Sequence, residues 1–115
     1  MIKKSKYKAV KCVYNGTTYD SIKEGNHAKK LDLMLKSGLI CNLERQVRYK
    51  WIETHTINFT SEEMQFKRSY IADFVYFDKE KQDVIVCDVK GFLTAEYKKK
   101  KKIVEKLFGF KITEV

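Results

Sequence analysis

Two apolar stretches of the sequence carry carboxylates on faces otherwise lined by hydrophobic side chains. In SYIADFVYF, strand alternation places Asp73 on one face with Ile71 and Val75. In DVIVCDVK, it places Asp88 and Lys90 on one face with Val84 and Val86. If the two segments pair in a register that opposes the aspartates, two like charges meet on that face. Repulsion and desolvation both disfavour such a pair. A divalent cation offsets both costs. Mg²⁺ suits hard oxygen ligands, usually takes one or two carboxylates and keeps water for a phosphate substrate. Such a metal lowers the pKa of its bound water and neutralises charge on a phosphodiester. Lys90, two residues from a ligand, could stabilise a pentacovalent phosphate or help orient the attacking water. Asp-x-Lys alone is a common tripeptide, and a lone strand aspartate is more often an edge or hydrogen-bonded residue. The pair, on two neighbouring apolar strands, gives the pattern its weight.

The elements that must position these residues follow from local signals. The chain has no proline and no repeat or linker-like stretch. In KYKAVKCVYNGTTYD, Asn15-Gly16 separates two strand-like runs and predicts a hairpin, because these residues tolerate the positive φ of a tight turn. A helix is expected from Ser21 to Ser37, with Ser21 as N-cap, Glu24 in the capping-box position and Gly38 after its end. Ile22, Ala28, Leu31 and Leu35 would form its buried stripe. NLERQVRYKWIE then alternates as a strand with Val47, Tyr49 and Trp51 inward. From Glu53 to Lys67 the pattern is weak: a short strand over His55–Phe59 and then a loop, with TSEE resembling a helix start. The polar DKEKQ joins the two aspartate-bearing segments, which should form an antiparallel hairpin. Thr94 caps a second helix running to Phe108, with Tyr97, Val104 and Leu107 buried, helped by Ile103. Gly109 ends it, and FKITEV is a last strand. The core order is helix, strand, strand, strand, helix, strand, a mixed α/β or α+β class. At 115 residues this is one domain, with residues 1–20 as basic arm and hairpin and 21–115 as core.

Lysine and arginine number 24 against 15 acidic residues, a net charge of +9. Such an excess in a small domain suggests a polyanionic partner, nucleic acid before a membrane surface, with plain solubility as the competing account. Hydrophobic residues make up 43% and charged residues 34%, which argues for a folded soluble chain and against disorder. No apolar run approaches a membrane span, and no secretion signal follows the basic N-terminus. Cys12, Cys41 and Cys87 form no C-x-x-C pair, and His27 and His55 form no ligand pair, so a reduced cytoplasmic protein is the simplest account. Lys98 to Lys102 wrap the whole second helix and cannot all face one partner. Lys98, Lys100 and Lys101 are the candidates for phosphate contact, and Lys100 or Lys101 could face the active cleft. Lys3, Lys4, Lys6, Lys8 and Lys11 could form a basic arm, giving salt-sensitive, sequence-independent affinity. Tyr7, Tyr14 and Tyr19 could stack on bases or simply pack. Gln46 could touch the site or be a polar strand-end residue.

IADFVYFDKEKQDVIVCDVKG resembles the Asp…(Asp/Glu)-x-Lys signature of the PD-(D/E)xK nuclease superfamily, and the element order is similar to that superfamily's restriction-endonuclease-like core. More closely, YDSIKEGNHAKKLDLMLKSGLICNLERQ, SYIADFVYFD, VIVCDVKGFLT and the lysine-rich helix resemble a small phage and prophage family suspected of endonuclease activity, DUF1064. These stretches cover most of the chain. The family's proline before the first aspartate is replaced by Ala72, at a position variable in the superfamily. The resemblance implies that Asp73 and Asp88 bind the metal and that Lys90 is the catalytic lysine. It implies that Glu24 supplies a further carboxylate to the metal or its water, while helix capping needs no active site to explain it. The implied activity is Mg²⁺-dependent hydrolysis of DNA, with Mn²⁺ able to substitute, leaving a 5′-phosphate and a 3′-hydroxyl. A structure-selective endonuclease similar to Holliday junction resolvases, acting in the cytoplasm of a bacterial host, is the first substrate class. A homodimer would present two sites to two strands. The alternatives are a non-catalytic nucleic-acid-binding module with a decayed or structural site, and a protein that holds another phage component through its basic surface.

Overall fold

The computed structural model describes residues 10–57, 61–90 and 93–115. A small hairpin comes first, β1 (Cys12–Tyr14) and β2 (Thr17–Tyr19), then α1 (Ile22–Lys36), β3 (Ile40–Thr56), β4 (Glu63–Asp78), β5 (Asp83–Asp88), α2 (Ala95–Phe108) and β6 (Ile112–Glu114). This is the expected α+β order. Asn15 and Gly16 both take positive φ, so the Asn-Gly turn forms as its chemistry requires. The Ser21 hydroxyl accepts from the Glu24 amide at the start of α1, and Thr94 accepts from Tyr97 at the start of α2. Gly109 ends α2 at φ 74°, where a side chain would be strained. The lysines Lys3, Lys4, Lys6 and Lys8, with Tyr7, lie outside the described residues.

The main sheet has the order β3-β4-β5-β6, antiparallel except for the parallel pair β5–β6. Two cores cover its faces. Phe74 and Cys87 pack with Tyr19, Ala28, Leu31 and Ile40 beneath α1 and the hairpin. Tyr70, Ala72 and Val86 pack with Val104 and Ile112 beneath α2. Phe74 and Ala72 share strand parity and yet lie in different cores, so the alternation of β4 reverses between them, at Asp73. On β3 the ladder runs from Arg45↔Phe74 to Val47↔Ala72 and skips Gln46, which takes φ 54°. Asp73 thus stands at a local irregularity, and not on a single continuous face with Ile71 and Val75.

The weakly patterned stretch Glu53–Lys67 is strand on both sides. β3 runs to Thr56 and β4 begins at Glu63, with Trp51↔Arg68 through Thr56↔Glu63 in register. His55 and Thr56, where the short strand over His55–Phe59 is expected to begin, belong to β3; residues 58–60 lie outside the described residues, and Glu62 and Glu63 of TSEE are not helical. β5 stops at Asp88, so β3 and β4 continue past it as a two-stranded arm. The radius of gyration is 17.4 Å and the longest extent 57 Å, against about 13 Å expected for the radius of a compact chain of this length.

Both helices bury a stripe shifted from the expected one. On α1 the buried residues are Glu24, Gly25, Ala28 and Leu31, while Ile22 and Leu35 are exposed. A carboxylate occupies the slot that an amphipathic reading assigns to an apolar side chain. On α2 Val104 is fully buried and Tyr97 packs beside it, but Leu107 and Ile103 are exposed. Lys101, at helical spacing from Tyr97 and Val104, is half-buried and places its ammonium 3.3 Å from Glu114.

Candidate active site

The site lies where β5 ends against β4. Phe74↔Cys87 is the last pair of that ladder, and one step further the register opposes Asp73 to Asp88. The two carboxyl groups are within hydrogen-bonding reach of each other. Asp88 is almost fully buried. Its Oδ2 accepts from the Tyr70 hydroxyl at 2.6 Å and lies 3.3 Å from Lys90 Nζ. The Lys90 ammonium also lies 4.2 Å from the centre of the Tyr97 ring, a cation–π contact that fixes the chain's direction. Asp73 Oδ2 accepts from the Val89 amide at 2.9 Å, so this side chain takes over from the backbone ladder where β4 and β5 part. Its Oδ1 accepts from Gln46 Nε2 at 3.4 Å, so Gln46 reaches the site.

Burial, followed by the hydrogen bond to Asp88, pushes the Asp73 carboxyl up to about 7, against the lowering effect of the Val89 amide. Burial and then the Asp88 hydrogen bond hold the Tyr70 hydroxyl well above its ordinary value, so it stays a donor. Burial and the neighbouring Asp20 raise Glu24, Arg45 opposes that shift, and Asp88 adds a weaker rise. Glu24 is buried, and its Oε1 has no hydrogen-bond partner and lies 3.8 Å from the Arg45 guanidinium. Its amide serves the Ser21 cap and its carboxyl accepts a backbone hydrogen bond from Asp20, so bonds local to the helix start engage both, while the same carboxyl also lies against Arg45. Arg45 itself stacks 4.3 Å from the Tyr19 ring centre. The approach of α1 is close: a Cβ on Gly25 would meet Cys12 Sγ at 2.6 Å.

Asp73, Asp88, Lys90 and Gln46 are therefore together, with Glu24 close enough to be felt electrostatically by both aspartates. Among the described residues, no three His, Cys, Asp or Glu side chains form a ready metal cage, so Glu24 does not close a three-carboxylate set. Of the α2 lysines, Lys98 and Lys100 are exposed, whereas Lys101 is engaged with Glu114. Two positioning residues were not singled out from sequence, Tyr70 and Arg45. Tyr70 follows the alternation into the α2 core, and a buried tyrosine needs a partner for its hydroxyl, which was the available signal. The cysteines are free. Burial lifts the Cys87 thiol to about 12, in keeping with a small buried hydrophobe. His27 lies 3.5 Å from Cys87 Sγ, and burial lowers its pKa. Among the described residues, no helix is long and apolar enough to cross a membrane.

Residues 4–114 match the sequence profile of DUF1064, a protein family of unknown function. The chain belongs to the DUF1064 family. The match spans the hairpin, both helices and the whole sheet, so every site residue described above falls within the family region. No curated protein and no solved structure gives a match.

Proposed function

We propose that this DUF1064 protein is a metal-dependent endonuclease of the PD-(D/E)xK type. The observation that carries the reading is the opposed pair Asp73 and Asp88, partly withdrawn from water, with Lys90 on Asp88. Two adjacent carboxylates cost folding free energy unless a proton or a cation lies between them. They suit Mg²⁺, or Mn²⁺ in its place, because such an ion takes one or two carboxylates and keeps its water. Bound by Asp73 and Asp88, the ion would supply charge neutralisation at a phosphodiester and a water of lowered pKa.

The chain's own residues account for the rest. Tyr70 donates to Asp88 and directs its remaining lone pairs. The Val89 amide and Gln46 do the same for Asp73. Lys90, held between Asp88 and the Tyr97 face, keeps a cation where charge develops on the phosphate oxygens. Glu24, its Oε1 without a hydrogen bond and 3.8 Å from the Arg45 guanidinium, would accept a proton from water on the α1 side. The net charge of +9 favours a nucleic acid substrate. The products are a 5′-phosphate and a 3′-hydroxyl, and the setting is the cytoplasm of a phage host cell.

Purified protein incubated with plasmid, linear and branched DNA should cleave with Mg²⁺ or Mn²⁺ and not with EDTA. Asp88→Ala and Lys90→Ala should each lower the rate by about 100-fold or more. Equal activity in EDTA, or full activity in either variant, overturns the proposal.

A further inference from the structure

The arm formed by β3 and β4 beyond Asp88 has two unlike faces. Tyr49 and Trp51 turn toward α2, where they meet Phe108, and Tyr49 also meets Phe110. Arg48, Lys50 and Ile52 alternate onto the other face, opposite Ile71, Ser69 and Lys67. That face holds Arg48, Lys50 and Lys67, all exposed. None of the three has an ion-pair partner among the described residues. Arg48 instead donates to the Ser69 hydroxyl at 3.0 Å. Arg68, by contrast, is turned to Glu53 at 3.5 Å. The three unpaired cations line one open groove, together with Trp51, Ile52, Ser69 and the Glu53-paired Arg68. Since α1 carries Glu24 on its buried face, this is also the side from which Glu24 approaches the aspartates.

We propose that this face of the arm is a backbone-binding surface for duplex nucleic acid, leading away from the site of hydrolysis. A two-stranded ribbon is narrow enough to follow a duplex groove. Arg48 stands two residues from Gln46, and Lys67 six from Asp73. At about 3.3 Å per strand residue, the cations lie roughly 7 to 20 Å from the site. That distance spans about two to six nucleotides at a rise of 3.4 Å. Unpaired side chains on a regular ribbon contact phosphates without reading bases, so the surface is sequence-tolerant. Ile52, exposed between them, adds apolar contact to the sugar edge.

The proposal rests on phosphodiester hydrolysis at Asp73 and Asp88, and a binding experiment separates the two. Anisotropy of a labelled DNA duplex is measured in EDTA over a salt series for the wild type and for Arg48→Ala/Lys50→Ala/Lys67→Ala. The triple variant should bind at least about tenfold more weakly at moderate salt, with a log–log salt slope shallower by about 2–3. Lys79→Ala/Lys81→Ala, in the exposed turn at the other end of β4, should leave the slope of the wild type unchanged. Circular dichroism of both variants checks folding. An unchanged slope in the folded triple variant overturns the arm surface, whether or not the protein cleaves DNA. Equal loss of slope in the Lys79/Lys81 variant, or triple-variant loss seen only with anionic phosphatidylserine vesicles and not with duplex, overturns it too. Arm-dependent binding without cleavage in Mg²⁺ supports the arm and removes the nuclease reading alone.

Discussion

Asp73 is buried beside a second carboxyl group, which disfavours its ionised form. Its carboxyl is raised to about 7 by burial and by Asp88, from an ordinary value of 3.8. The native state therefore binds a proton more tightly than the unfolded chain does. This group's contribution to stability is fully present below pH 3.8 and is lost as pH rises through about 7. Asp73→Asn removes that loss. At pH 8 without metal the variant should melt higher than the wild type, by about 4–8 °C for each kcal/mol relieved, and the difference should shrink toward pH 4. A lower melting temperature at pH 8 would contradict this account. Tyr70→Phe acts in the opposite sense. It leaves the buried Asp88 without its 2.6 Å donor and should destabilise the protein by about 1–3 kcal/mol in a urea titration. Alternation marks Tyr70 as buried but names no partner, and Arg45 does not stand out at all, because the partners of both are distant in sequence and come within reach only on folding.

At the scale of elements, α1 does two jobs with one face. Ala28 and Leu31 anchor it to the sheet, and Glu24, one turn before Ala28, is carried to the aspartates by the same packing. Leu31→Ala should cost about 2–5 kcal/mol, read by thermal or urea unfolding. Partial compensation by rotation of α1 would instead appear as a small stability loss with a large activity loss. The ends of α1 and α2 were predictable because a cap is a local bond between neighbours in sequence. The buried stripes were less so, since hydrophobic periodicity cannot anticipate a buried carboxylate at position 24 or a half-buried lysine at position 101. The distal parts of β3 and β4 gave a weak signal for another reason. Each strand of the arm is stabilised by its partner across the hairpin, and no run of apolar residues is required on the exposed face.

Over the whole molecule, the two cores hold the sheet and the arm extends beyond it, which accounts for a radius larger than that of a compact domain. A cation that binds the native state and not the unfolded chain stabilises the whole domain. Mn²⁺ at a hundredfold excess over its dissociation constant should add about 2.7 kcal/mol. Calorimetry with and without Mn²⁺ should show this in the wild type and not in Asp73→Ala/Asp88→Ala, and an equal shift in both would place the ion elsewhere.

The sequence alone determined the element order, the helix ends, the Asn-Gly turn and the antiparallel pairing of the two aspartate-bearing strands, while their register, which opposes Asp73 to Asp88, came from the structure. These depend on caps, turns and alternation, which act over a few residues. Tertiary structure decided the reversal at Asp73 and Gln46, the burial of Glu24 against Arg45, the Tyr70 donor and the projection of the arm. Each depends on where separate elements meet, and that is set by packing across the sheet.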